Sequence, residues 1–258
     1  MNDPRIRLTF DGPVATITLA RPEKLNALDM AMIAALHRAA LDIEAQHDVR
    51  CALLTGEGKV FCAGGDIAAW SGQPPIEMWR TWTHAGHRAF DALARLRVPL
   101  IAVLAGHAFG GGLELAATAD FLIAERHVLL SLPETGLGMI PGWSGTQRIV
   151  RRFGSRAVKR MALAGASLAA GDAMAFGLID GLAETGGGMA SAIAMAQRIA
   201  ARGPLAVQIA KQLINVAEGE EGFEASEMLA GSLAAYTQDL SEGVTAFAAK
   251  RPPAFKNT

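Results

Sequence analysis

Two glutamates stand where their charge is costly. Glu114 lies inside an otherwise apolar stretch, Leu113 to Ala119, and Glu134 follows Pro133 after the apolar run Leu129 to Leu132. A carboxylate withdrawn from water is strongly disfavoured unless it is partnered or protonated. Two carboxyls so placed have the raised pKa values that proton transfer near neutral pH requires. Taken singly, each has a plainer reading: Glu114 as a helix surface residue and Glu134 as a helix cap.

Two glycine-rich loops offer a second kind of chemistry. They are Val60-Phe61-Cys62-Ala63-Gly64-Gly65-Asp66-Ile67 and Gly106-His107-Ala108-Phe109-Gly110-Gly111-Gly112-Leu113-Glu114-Leu115. Each follows an apolar strand and precedes a helical pattern. Glycine there permits positive φ and a close backbone approach. The helix that follows leaves its first amides unpaired, with its dipole favouring negative charge. Two such amides converging on one oxygen would form an oxyanion hole, although either loop alone also reads as an ordinary turn. Neither matches the phosphate-loop or dinucleotide fingerprint, which disfavours nucleotide hydrolysis and dehydrogenase chemistry. His84 and His87, three apart in a helical stretch, could face one way as metal ligands but have no acidic or cysteine partner in that stretch. Ser144 lacks the flanks of a nucleophile elbow and is expected to cap a helix beginning around Gly145.

The elements that must position these residues follow from periodicity. Arg5 to Phe10 and Val14 to Leu19 form a hairpin around Asp11-Gly12-Pro13. Asp29 caps a helix whose apolar side includes Ile33, Leu36, Ala40 and Ile43. Arg50 to Thr55 is a short strand running into a loop over 56–65, and a helical stretch covers about Ile76 to Leu96. Leu100 to Ala105 is a second buried strand, and Phe121 to Ala124 and Val128 to Leu130 are further short ones. Strands alternating with helices predict a layered α/β core with parallel strands. Beyond about Ser144 strand signals nearly vanish and helical patterns run through Ala248. A boundary near Ile193 divides the chain into a core (1–192) and a helical region (193–258). Arg251-Pro252-Pro253 should end the last helix.

Composition narrows the class. Apolar residues make up 51% and charged ones 19%, with 28 glycines, as in a soluble globular protein. Basic (24) and acidic (25) residues nearly cancel, so there is no global nucleic-acid footprint, though a small basic patch for a phosphorylated ligand is compatible. Cys51 and Cys62 are too few for a disulfide framework and read as buried thiols. The most apolar run, Val98 to Ala105, is far short of a membrane span, and MNDPRIRLTF lacks the apolar core of a signal peptide. A cytoplasmic location is expected.

Together the two loops, the Glu114–Glu134 spacing and Ile140-Pro141-Gly142-Trp143-Ser144-Gly145-Thr146-Gln147-Arg148 resemble the crotonase (enoyl-CoA hydratase/isomerase) superfamily. Arg21-Pro22-Glu23-Lys24-Leu25-Asn26-Ala27-Leu28 fits it too, as does Glu125 after Ala119-Asp120, so the resemblance runs from about Ile6 to Lys256. It implies an α/β spiral of repeated ββα units, followed by C-terminal helices that assemble trimers, commonly paired into hexamers. The oxyanion amides fall on Gly65 and Gly111, and the two glutamates of the family's hydratases on Glu114 and Glu134. Ala63, Gly64, Asp66 and Ile67 would border the adenine of coenzyme A. Lys24, Leu25 and Ala27 would lie along its pantetheine and phosphates, and Lys256 either reaches the 3′-phosphate, in this or a neighbouring subunit, or is a solvated surface lysine. The implied activity is hydration of a trans-2-enoyl-CoA, with coenzyme A as part of the substrate, no prosthetic group or metal, and no nucleic-acid or membrane partner. Inside the superfamily the rival is a Δ3,Δ2-enoyl-CoA isomerase; outside catalysis, an acyl-CoA- or RNA-binding homologue. Trp143 either lines the acyl pocket or packs on a helix, and Trp70 to Trp82 would form one wall.

Overall fold

The computed structural model describes residues 3–256. The opening hairpin forms as expected: β1 (Ile6–Asp11) and β2 (Val14–Leu19) pair antiparallel around Gly12, whose φ is +53°. Helix α1 (Met30–Glu44) is capped by Asp29, which accepts from the Met32 amide and also binds Arg5. Its Ile33, Leu36, Ala40 and Ile43 are all buried.

β3 (Cys51–Gly56) then joins β2 in parallel. The chain runs through β4 (Val60–Cys62), the short helical turns α2 (Ile67–Trp70) and α3 (Pro75–Glu77), and α4 (His84–Ala94) to β5 (Leu100–Leu104). The next repeat is β6 (His107–Phe109), α5 (Gly111–Ala116) and β7 (Phe121–Glu125), followed by β8 (Leu129–Ser131). Each repeat gives one strand to each of two sheets. β1-β2-β3-β5-β7 build the larger, completed by β10 (Gly181–Ala183). β4-β6-β8 build the smaller, with β9 (Leu168–Ala169) antiparallel at its edge.

Alternate residues of the central strands enter different cores, as a two-residue period demands. Ala52, Leu54, Leu100, Ala102 and Leu104 share a core with α1 and α4. Cys51, Leu53, Ile101 and Val103 pack instead with Ala192 and Ala196. Both faces are covered, which explains why these strands read as continuous apolar runs.

Three expectations need correction. β4 and β6 fall inside what reads as loop, because three residues are too few for an alternating pattern to show. The helical stretch from Ile76 is interrupted: Met78–Thr83 is a π-helical turn between α3 and α4, a form often found at functional sites. Ser144 does not cap a helix starting at Gly145; α6 (Arg148–Phe153) begins later and has Gln147 at its cap position.

Further on lie α7 (Ser155–Ala162), α8 (Ala170–Ala175), α9 (Gly188–Ala200) and α10 (Pro204–Glu218). The chain forms two compact units, 1–211 and 212–258. α9, which carries Ala192 and Ala196, covers a face of the larger sheet, so the boundary expected near Ile193 lies inside a helix of the first unit. The second unit holds α11 (Phe223–Ala235) and α12 (Gln238–Ala248), the latter capped by Thr237. Among the described residues no helix is long and apolar enough to cross a membrane.

The packing of α5 on β4 gives a direct test of this architecture. A β-carbon at Gly112 would lie 2.1 Å from the Cys62 carbonyl oxygen, whereas one at Gly136 would meet nothing within 4 Å. Gly112→Ala should therefore destabilise by about 1–3 kcal/mol or more, as overpacking does. Gly136→Ala should be near neutral in the same denaturant titration.

Candidate active site

The smaller sheet brings the chemistry together. β4, β6 and β8 are adjacent and parallel, and they end at Cys62, Phe109 and Ser131. Residues 63–66, 110–112 and 133–134 therefore emerge side by side beyond the same sheet edge. Gly110 extends the ladder by donating to the Ser131 carbonyl at 2.9 Å, and α5 begins one residue later.

The two glycine loops meet almost backbone to backbone. A β-carbon on Gly64, whose φ is +99°, would lie 3.0 Å from the Gly111 nitrogen, and one on Gly111 would lie 3.4 Å from the Gly64 Cα. Among the described residues neither the Gly65 nor the Gly111 amide donates to a protein acceptor. For Gly111 this is the ordinary state of a helix start. For Gly65 it follows from the neighbouring bridge, in which Leu28 bonds Gly64 and Asp66 and passes over Gly65.

Glu114 sits in the first turn of α5 and is 2% exposed. Its Oε1 accepts from the Trp143 amide at 2.7 Å and the Gly145 amide at 2.6 Å. Burial pushes its pKa up to about 7, against the pull of these donors and with help from the charge of Glu134. Glu134 opens the 3₁₀ turn Glu134–Leu137. Both its carboxyl oxygens are sealed from solvent and, among the described residues, have no partner from another side chain or amide. Burial raises its pKa as well. The glycine at 110 is needed here, since a β-carbon would lie 2.8 Å from Glu134 Oε1.

Gly65, Gly111, Glu114 and Glu134 all line one cavity of about 540 Å³, the size of a small-molecule site. All four tryptophans of the chain are among its lining residues. The rings of Trp143 and Trp82 lie 5.2 Å apart at a 35° tilt, and Trp143 and Phe90 meet edge-on at 5.3 Å. Both readings of Trp143 hold, because it lines the cavity and also rests on α4, where a β-carbon at Gly86 would lie 2.1 Å from its Nε1. Trp70, Trp79 and Trp82 supply the wall expected from the Trp-rich stretch.

Of the other expected residues, Ala63, Gly64 and Ile67 line the cavity. Leu25 and Ala27 lie on the segment that runs beside the first loop, Leu25 accepting from the Ala63 amide at 3.0 Å, and Lys24 is exposed just before them. Asp66 caps α2 and pairs with Arg21 at 2.9 Å. Lys256 belongs to the second unit, with its amide on Asp239 and its side chain exposed. Two supports are not evident from the sequence. Buried Asn26 binds the carbonyls of Glu57 and Val60 at 2.8 Å each, and Arg21 ties Ala27 to Asp66. Leu25 and Asn26 both have positive φ, 52° and 56°, so this segment turns tightly against the loop. An asparagine among tight-turn residues was the available signal. Nor does the sequence place His87, which meets Ser144, with Nδ1 and Oγ 3.1 Å apart.

Residues 9–258 match the family model described as enoyl-CoA hydratase/isomerase. A short-chain-enoyl-CoA hydratase from Clostridium acetobutylicum is 34% identical, over 97% of each chain. A probable mitochondrial enoyl-CoA hydratase from Arabidopsis thaliana is 36% identical, over 95% of this chain and 82% of its own. The crystal structure of an enoyl-CoA hydratase from Bacillus anthracis superposes with a TM-score of 0.81 at 31% identity, covering 98% of this chain and 100% of that one. The chain belongs to the enoyl-CoA hydratase/isomerase family and has the crotonase fold.

The burial of Glu114 has a consequence for stability. Its folded pKa, about 7, lies above the ordinary 4.5. Its contribution is therefore complete below 4.5 and is lost as pH rises through about 7. Each pH unit between those limits is worth about 1.4 kcal/mol, so the full loss is at most about 3.5 kcal/mol. Glu134 and Asp180, also raised by burial, act in the same sense. Glu114→Gln keeps the packing without the charge, and its unfolding free energy should decline less than wild type's between about pH 5 and pH 8. Equal slopes in urea titrations across that range would contradict the buried-acid assignment.

Proposed function

We propose that this member of the enoyl-CoA hydratase/isomerase family adds water across the 2,3-double bond of a trans-2-enoyl-CoA, giving the 3-hydroxyacyl-CoA, and catalyses the reverse. One observation carries the reading: two carboxyls of raised pKa and two undonated backbone amides open on the same cavity. Relatives named as enoyl-CoA hydratases support it.

The thioester oxygen is the acceptor for the amides of Gly65 and Gly111. As the oxygen of water bonds to C3, the π electrons of the double bond move toward the thioester and negative charge gathers on its oxygen. Losing one such donor costs about 3 kcal/mol of barrier in comparable sites. The two carboxyls divide the protons by their hydrogen bonds. Donation from Trp143 and Gly145 favours the anion on Glu114, which orients the water and accepts its proton. Glu134, whose carboxyl has only its own backbone amide to favour an anion, holds the proton that goes to C2. An O–H bond breaks, C3–O and C2–H bonds form, and the pair ends with the one proton it began with. Coenzyme A is part of the substrate, and no prosthetic group is required.

The coenzyme lies along the first loop and the segment beside it, with Ala63, Gly64, Asp66 and Ile67 near the adenine and Lys24, Leu25 and Ala27 near the pantetheine and phosphates. The family resemblance points to Lys256, of this or a neighbouring subunit, as a contact to the 3′-phosphate. The second unit exposes Leu233, Tyr236 and Phe247 at 73%, 87% and 88%. Such surface favours burial against another copy, and we read it as the trimer-forming face.

Glu114→Gln and Glu134→Gln should each lower kcat/KM for crotonyl-CoA hydration by about 10²–10⁴-fold, the usual worth of a positioned acid or base. The wild-type profile should rise with pH through about 7, where Glu114 ionises. Near wild-type rates in either variant would remove that residue from the mechanism, and faster turnover of 3-enoyl than 2-enoyl substrates would favour an isomerase. Lys256→Ala should weaken coenzyme A binding by up to about fivefold, with a shallower salt dependence. Unchanged affinity and salt dependence would release Lys256 from the site.

A further inference from the structure

Ser144 has a φ of +83° and is buried, a conformation that disfavours any residue with a β-carbon. Its two neighbours both donate to the same atom, Glu114 Oε1. A left-handed residue is what turns nearby N–H groups of a chain toward one point. With ordinary φ at 144, the Gly145 amide would point elsewhere. Gly145 must itself lack a side chain, because a β-carbon there would lie 2.7 Å from Glu114 Oε1.

The hydroxyl of Ser144 is held on two sides. Gln147 Nε2 donates to Oγ at 3.1 Å, and Oγ shares a second hydrogen bond with His87 Nδ1, also at 3.1 Å, whose direction follows the imidazole tautomer. His87 lies on α4 next to Gly86, on which the Trp143 indole rests. One helix thus supports both residue 143 and residue 144. Of the charged groups nearby, Glu134 acts on Glu114 from the 3₁₀ turn. Asp91 of α4 is engaged with Arg148 of α6 at 2.6 Å, and His87 meets the serine rather than the carboxyl.

We propose that Ser144 and His87 are positioning residues: their hydrogen bond holds the left-handed turn at 144 and so aims the Trp143 and Gly145 amides at Glu114. Neither touches the reacting atoms. The catalytic consequence rests on the hydratase reading, whereas the effect on the Glu114 carboxyl does not.

The test compares His87→Ala, Ser144→Ala, Ser144→Gly and the double variant H87A/S144G. The readout is the titration of the Glu114 carboxyl by ¹³C NMR in glutamate-labelled protein, with the resonance identified by its loss in E114Q. Amide donors hold the pKa down against burial, so loosening them should raise the midpoint by about one pH unit in H87A and S144A. Glycine takes positive φ unaided, so H87A/S144G should return to the midpoint of S144G and wild type. In crotonyl-CoA hydration the same two single variants should lose about tenfold or more in kcat with KM little changed. A wild-type titration in H87A, or a double variant displaced as far as H87A alone, would overturn the proposal. If S144A fails to fold, H87A and the double variant decide the matter by themselves. A wild-type protein that hydrates no enoyl-CoA would end the proposed function, while the carboxyl titration would still decide the positioning roles on its own.

Discussion

The first glycine loop and the first turn of α5 approach each other to distances that a β-carbon would block. Gly64 faces the Gly111 nitrogen, and Gly112 presses on the Cys62 carbonyl. This contact sets the spacing between the two undonated amides, and it anchors α5, which carries Glu114. Gly145 extends the same logic to the third segment, where its missing side chain makes room for the carboxyl. The geometry of the candidate site is thus set by backbone packing, with the parallel ends of β4, β6 and β8 as the frame.

Around that frame the protein divides one electrostatic problem between two carboxyls. Glu114 is buried, Glu134 is half-buried with its carboxyl oxygens sealed, and both are pushed toward the neutral form. Among the described residues Glu114 receives donors from a distant segment, the Trp143 and Gly145 amides, whereas Glu134 has only its own amide. In the proposed mechanism this asymmetry of hydrogen bonding, not any difference in residue type, separates a proton acceptor from a proton donor. Water exclusion is supplied by indole rings. Trp82 and Trp143 are buried beside Gly65, whose β-carbon position lies 2.8 Å and 3.3 Å from them. A low-dielectric wall strengthens whatever the amides do to a developing charge.

Support for the site comes from side chains that do no chemistry. Asn26 and Arg21 lock the segment beside the first loop, each replacing hydrogen bonds that a tight left-handed turn cannot supply itself. The Asp91–Arg148 pair joins α4 to α6, the two helices flanking residues 142–147. Rigid helices and strands therefore hold loops whose own backbone is partly strained, an arrangement suited to a site that must not relax during the reaction.

The sequence by itself determined the strand and helix periods, the buried character of β3 and β5, the cap at Asp29, and the combination of glycine loops and glutamates that marks the family. Those features are local, or short motifs with fixed spacing, and a linear reading can find them. It left β4 and β6 inside loops, because three residues carry no period, and it ran Ile76 to Leu96 as one helix, because a π turn keeps a helical composition. It assigned Ser144 to a cap and His87 to no role beyond a weak metal ligand. Their pairing joins residues 57 apart in the chain, and the left-handed turn that gives it meaning is a dihedral angle. Tertiary structure alone decided which amides stay undonated and which carboxyl receives donors, since both depend on segments distant in sequence meeting at one point.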